Sequence, residues 1–333
     1  MKKVWISIPL ALACAASVHA QVSLYGLIDA SYGKSLNSDV FVAKSKADFH
    51  SGGDNSSSEG NSTTRVGIKG AFELGTGVKA HFRFETGGID SNGQVNAGGA
   101  FFDRQAWVGL SGSFGEVRLG RQDSVPFQTM IDFDFNGASN GVSAGAYSGV
   151  GVWNRGRQSR SLQYILPAQG GLSAQLGFQP KGDFIVRMQP ATTRDVYSVG
   201  LKYAAGDLLI GASFQSKENN NVSGFTSVAG SYDFKSFKVM LGYADGGLTP
   251  SGAEGKGPSF GIVAPVAGWN IGLHYARNDD STQKIRSSEL FANKEVFKNT
   301  FVYLEAGTWK TSKNLAVAKK SGSGYAGGLI FVF

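Results

Sequence analysis

Apolar and polar residues alternate with a period of two over short segments, and this pattern recurs along almost the whole chain. From Val78 to Thr86 the sequence VKAHFRFET sets Val78, Ala80, Phe82 and Phe84 on one face and Lys79, His81, Arg83 and Glu85 on the other. Successive side chains of a strand point to opposite sides, so this is the pattern of a strand with one apolar face. Arg65 to Phe72 repeats it, with Val66, Ile68 and Phe72 opposite Arg65 and Lys69. Leu172 to Gln179 and Trp269 to Tyr275 do the same. Sixteen such segments can be counted, beginning near residues 22, 61, 78, 101, 115, 156, 172, 194, 207, 224, 237, 258, 269, 283, 297 and 322. An even count permits antiparallel closure.

The connections alternate as well. Leu74-Gly75-Thr76-Gly77, Gly112-Ser113-Phe114, Ala205-Gly206 and Asp233 to Ser236 are short, whereas 34–60, 89–99, 122–155, 181–193, 246–257 and 308–321 are long and polar. A sheet with one trimmed end and one looped end, in strands of roughly 10 residues, is the pattern of a barrel that crosses an outer membrane. Hydrocarbon demands that every backbone N–H and C=O be paired within the protein, which a sheet achieves only by closing. Mean hydropathy of −0.11 excludes a bundle of apolar spanning helices. The 333 residues therefore fit one all-β, 16-stranded antiparallel transmembrane β-barrel, not two soluble domains.

The first 20 residues read as a signal peptide. Lys2 and Lys3 precede an apolar run from Val4 to Ala16, and Val18-His19-Ala20 offers small residues for cleavage before Gln21. The barrel is then 21–333. The single cysteine, Cys14, falls in the leader, so the barrel has no disulfide to rely on and must be held by its hydrogen-bond network.

A barrel of 16 strands leaves an aqueous channel, and the polar phase of the strands would line it. Lys69, Lys79, His81, Arg83 and Glu85 are the lumen-lining candidates read from that phase. Of the 47 glycines, Gly67, Gly177, Gly200, Gly211 and Gly272 share it and are expected to leave lumen open. The histidines His50, His81 and His274 fall on separate segments without ligand spacing, so no metal or other cofactor is expected. Gly141-Val142-Ser143-Ala144-Gly145 fits a nucleophile elbow but lies in a Gly/Ser-rich loop with no strand–turn–helix setting. Gly322 to Gly327 fits a dinucleotide fingerprint but precedes a terminal strand, not a helix. No enzyme activity and no nucleic-acid partner are expected.

The stretches QVSLYGLIDASYG (21–33), TRVGIKGAFELGTGVKAHFRFETG (64–87), FFDRQAWVGLSGSFGEVRLGRQ (101–122) and YAGGLIFVF (325–333) resemble the Gram-negative general diffusion porins of the betaproteobacterial type. The resemblance implies a homotrimer in the outer membrane, in contact with lipid and lipopolysaccharide, that passes small hydrophilic solutes by passive diffusion. It also implies an inward-folded third loop, here 122–155, as the constriction. Ile131-Asp132-Phe133 is similar to the family's Ile-Asp-Pro-Phe element, with Phe133 in the place of Pro. The family's constriction arginines map onto Arg65, Arg104 and Arg157, with Arg155 sharing the phase of Arg157. The loop acids opposite would be Asp123, Asp132 and Asp134. The terminal Phe333 is similar to the residue through which such chains reach the barrel-assembly machinery. With more basic than acidic groups, such a constriction is expected to favour anions mildly. A solute-specific channel, or a barrel with a surface adhesion or receptor role, is the alternative.

Overall fold

The computed structural model describes residues 21–36, 46–95, 100–148, 156–182, 193–219, 223–248, 254–279, 284–312 and 321–333. The proposed leader and Arg155 lie outside them. The strands are β1 (Gln21–Lys34), β2 (Asp48–Ser51), β3 (Arg65–Gly75), β4 (Val78–Gly87), β5 (Gln105–Gly112), β6 (Gly115–Asp123), β7 (Arg157–Ile165), β8 (Leu172–Gln179) and β9 (Val196–Ala205). They continue as β10 (Leu208–Gln215), β11 (Phe225–Asp233), β12 (Lys238–Leu248), β13 (Glu254–Val266), β14 (Trp269–Asp279), β15 (Lys284–Phe297), β16 (Thr300–Thr311) and β17 (Ser321–Val332).

Each long strand pairs antiparallel with its neighbour in sequence, and the sheet closes through β1. The first half of β1 pairs with β3, from Gln21↔Ala71 to Leu27↔Arg65. Its second half pairs with β17, from Leu27↔Val332 to Lys34↔Tyr325. Gly26 and Phe333 exchange backbone hydrogen bonds of 2.9 and 3.1 Å at the seam, which leaves no free edge there. Sixteen strands, β1 and β3 to β17, make the wall. The short β2 pairs only with β1, opposite Ala30 to Gly33, and prolongs the β3 side of the seam. All sixteen wall strands begin within four residues of the starts read from the alternation.

The turns explain the trimmed end. Thr76-Gly77 and Ala267-Gly268 carry positive φ at both central residues (53° and 76°; 51° and 79°). That is the two-residue hairpin geometry whose twist matches paired strands. Burial is inverted relative to a soluble protein. Leu24, Ile28, Leu119, Leu241, Leu290 and Leu304 are exposed on the outer phase, while Ser198, Ser213, Gln215, Ser227, Ser231 and Ser287 are buried on the other. Tyr232, Phe234 and Phe237 stack beside the β11–β12 turn at 4.7 and 4.9 Å, as interfacial aromatics do at a membrane boundary.

Candidate functional site

The polar phase carries two unlike walls. On β3 to β7 it is basic. Glu85 of β4, 1 % exposed, accepts from Arg104 Nε at 2.5 Å, Arg83 at 2.7 Å and the Tyr25 hydroxyl at 2.8 Å. Arg83 also donates to the Tyr25 hydroxyl, and Arg83 and Lys69 lie against the Tyr25 ring at 5.0 and 5.2 Å. Register explains this packing, because Tyr25 stands opposite Gly67, whose missing side chain is the space the phenol fills. Arg157 and Asp123 approach to 3.2 Å. Arg65 donates to the Thr63 carbonyl at 3.2 Å and lies within Coulombic range of Arg104, Glu85, Arg83 and Asp123. Toward the short-turn end, Lys79 pairs with Glu73 at 2.8 Å, and His81 stands 3.5 Å from Glu116, edge-on to Trp107.

The structure thus gathers Arg65, Arg83, Glu85, Arg104, Asp123 and Arg157. Arg104 lies just before β5, not within it. Arg121 joins the group without having been singled out by alternation. The register slips between Gly120 and Gln122, and Arg121 donates to Ser159 Oγ at 2.7 Å and to the Asp103 carbonyl. Strict alternation places Arg121 on the outer phase, so a bulge is the signal that would have found it. Arg160, of opposite phase, is exposed and donates to the carbonyls of Pro180 and Lys181.

The second wall is acidic and buried. Asp29 of β1, Glu289 of β15 and Glu305 of β16 are at most 4 % exposed. Neutral donors hold them. Asp29 accepts from the backbone N–H of Asn61 and Ser62 and from the Tyr303 hydroxyl. Glu305 accepts from Asn61 Nδ2 at 3.0 Å, Asn136 Nδ2 at 3.1 Å and Ser139 Oγ at 2.9 Å. Glu289 accepts from the backbone N–H of Ala144.

Three of those donors, Asn136, Ser139 and Ala144, belong to the segment between β6 and β7. Ser124, extended in backbone, caps helix α1 (Val125–Met130) by accepting from Phe127 N–H at 3.2 Å, with Pro126 in the first turn where its missing N–H costs nothing. A single 3-10 turn, Ile131–Phe133, follows, and the segment ends in α2 (Ala144–Ser148). Helix α1 packs against β8 to β11, and α2 against β14 to β16. Glycines of the polar phase make the seat. A Cβ at Gly200 would stand 2.1 Å from Thr129 Oγ1, one at Gly211 2.5 Å from Phe133, and one at Gly307 2.9 Å from Val142. The expectation that Gly67, Gly177, Gly200, Gly211 and Gly272 leave open lumen is therefore corrected. Tyr25 fills the first, Val125 approaches the second, Thr129 and Phe133 occupy the next two, and Phe291 fills the last.

The expected loop acids divide. Asp123 ends β6 on the basic wall. Asp132 pairs with Lys202 at 2.9 Å, away from the arginines. Asp134 faces the acidic wall, accepting from Ser143 Oγ at 3.2 Å, close to His274 and Glu289. Ser143, the serine of the elbow-like motif, is thus committed to holding Asp134.

Comparisons agree with this architecture. The family model for Gram-negative porins matches residues 8–314. An outer membrane porin protein of Bordetella pertussis is 30% identical over 268 residues, 73% of this chain and 69% of that protein. Outer membrane porin protein 32 of Delftia acidovorans is 35% identical over 188 residues, 54% of this chain and 49% of the relative. Among solved structures, an anion-selective porin from Comamonas acidovorans superposes with a TM-score of 0.74 at 24% identity, covering 95% of this chain and all of the other. A closed sheet of sixteen wall strands and a family match over most of the sequence lead to one conclusion: the chain belongs to the Gram-negative porins and crosses the outer membrane many times as a β-barrel.

Proposed function

We propose that the protein is a general diffusion porin whose water-filled lumen passes small hydrophilic solutes and ions, with a mild preference for anions. The observation that carries this reading is the imbalance of charge between the two walls. Arg65, Arg83, Arg104, Arg121 and Arg157 gather on β3 to β7 around three nearby side-chain acids, Glu85, Asp103 and Asp123. Guanidinium groups stay charged at any physiological pH, and basic rings in a pore favour anions.

The segment 124–148 is the constriction in this reading. Its support is contact with polar-phase positions on β8 to β11 and β14 to β16. By covering Glu289 and Glu305 it removes their charge from the solute path, while Asn61 and Ser62 engage Asp29 and Lys202 engages Asp132. The path is therefore bordered by arginines on one side and by a largely neutral loop surface on the other. An anion is drawn along β3 to β7, a dipolar solute is turned with its negative end toward them, and no covalent chemistry is involved. Trimeric assembly and insertion through Phe333 belong to the same proposal, supported by the family and by the paired terminal residue.

Single-channel recording separates this reading from a solute-specific channel. Conductance is expected to rise linearly with salt, in steps of three, and to resist millimolar sugars and dicarboxylates. Saturable block at low solute concentration contradicts it.

A further inference from the structure

We propose that Asp134, His274 and Glu289 form a divalent-cation site, of the chemistry that takes Zn2+, which staples the segment between β6 and β7 to the barrel wall. The three side chains are 8 %, 4 % and 1 % exposed, and each offers a ligand atom within 4.8 Å of the others. They come from three separate stretches of chain. His274 and Glu289 are directly opposed across β14 and β15, so the sheet itself fixes two ligands side by side. Asp134 descends onto them from the loop, steadied by Ser143 Oγ and by its contact with the Asn136 N–H.

The neighbours in the same row are glycines. Gly261 stands opposite His274 on β13, and Gly307 stands opposite Glu289 on β16. The row therefore reads Gly-His-Glu-Gly across four strands, with the ligands at its centre and the flanking glycines covered by Val142 and Leu36 on one side and by Met240 and Phe135 on the other. A cavity of about 30 Å3 borders Asp134 and His274, enough for a water molecule in a fourth position.

Unused bonding capacity points to a ligand. Both ring nitrogens of His274 and Glu289 Oε1 are buried without a hydrogen-bond partner, although buried polar atoms are nearly always paired. Among the described residues, no lysine or arginine forms an ion pair with Asp134, Glu289 or Glu305. Two buried carboxylates beside an imidazole with no compensating cation are costly to desolvate, and a bound divalent ion supplies the missing charge. One imidazole nitrogen with two carboxylate oxygens suits Zn2+, which binds such donors at about 2.0–2.2 Å in tetrahedral array. Ca2+ and Mg2+ prefer all-oxygen shells. Tetrahedral ligation at about 2.0–2.2 Å sets ligand atoms roughly 3.3–3.6 Å apart, so from the present bound of 4.8 Å the cluster closes by at most about 1.5 Å on binding.

The test uses detergent-solubilised porin stripped with EDTA. Calorimetric titration with Zn2+ is expected to show one site per chain, and Co2+ in its place is expected to give the intense visible bands of a four- or five-coordinate ion with nitrogen ligation. His274→Gln and Glu289→Gln should each weaken Zn2+ by about tenfold or more, at least the loss produced by removing an outer partner of a ligand. His50→Gln, beside Asp54 and Glu59 at 3.7 and 3.9 Å, should leave affinity unchanged. Failure of the stripped wild type to bind Zn2+ stoichiometrically, or binding that survives both substitutions, overturns the proposal. If either variant fails to fold by heat-modifiability, the wild-type Co2+ spectrum decides, and a six-coordinate aquo-like spectrum overturns it.

Discussion

The basic wall and the acidic wall face the same lumen side of one sheet, yet they solve the cost of charge in opposite ways. On β3 to β7 the arginines stay partly exposed, Arg83 at 37 % and Arg104 at 14 % of their side chains, and share Glu85 as a common acceptor. Arg65, Arg121 and Arg157 lie deeper, and Glu85, Asp103 and Asp123 partly offset the cost of burying them. On β1, β15 and β16 the carboxylates are buried and surrounded by neutral donors: amides, hydroxyls and backbone N–H groups from two loops. The difference separates two tasks. One wall is left charged for the solute, whereas the other spends its charge on holding a loop.

Breaking the acidic wall should have the larger effect. Glu305→Leu deprives Asn61, Asn136 and Ser139 of their shared acceptor, and an unsatisfied buried donor costs about 1–3 kcal/mol. The barrel should still assemble through its backbone ladder. Protease cleavage within 124–148 should then accelerate and open-channel noise rise; a cleavage rate equal to wild type would show that Glu305 does not hold the loop.

Perturbing the basic wall should be milder for structure and sharper for selectivity. Arg65→Ala and Arg104→Ala together remove two cations from the lumen side while leaving Arg83 to pair with Glu85. Anion preference should fall with little change in heat-modifiability. A variant that loses assembly would mean that these arginines are primarily structural.

The two walls also differ in how far the sequence discloses them. Alternation over nine residues is local, and it placed Lys79, His81, Arg83 and Glu85 on one face before any tertiary information entered. The same reasoning located every wall strand. It missed Arg121 because a bulge breaks the period, and it says nothing of Asp132 and Asp134, whose place in the constriction rests on the family resemblance. The acidic wall has no local signature. Tyr303 reaches Asp29 across 274 positions and Asn61 reaches Glu305 across 244, distances along the chain that only closure of the barrel removes. His274 shows the same limit: it has no ligand spacing in sequence, yet cross-strand register sets it against Glu289. Glycine carries a double meaning for the same reason, since Gly200 and Gly307 look like gaps in a strand until a loop is seated on them.

Anion preference requires arginines in excess of acids along the lumen, and one measurement tests this directly. In a planar bilayer under a salt gradient, the wild-type channel should give a reversal potential of the sign set by the anion, modest in size. A reversal potential of the opposite sign, showing cation preference, would contradict it.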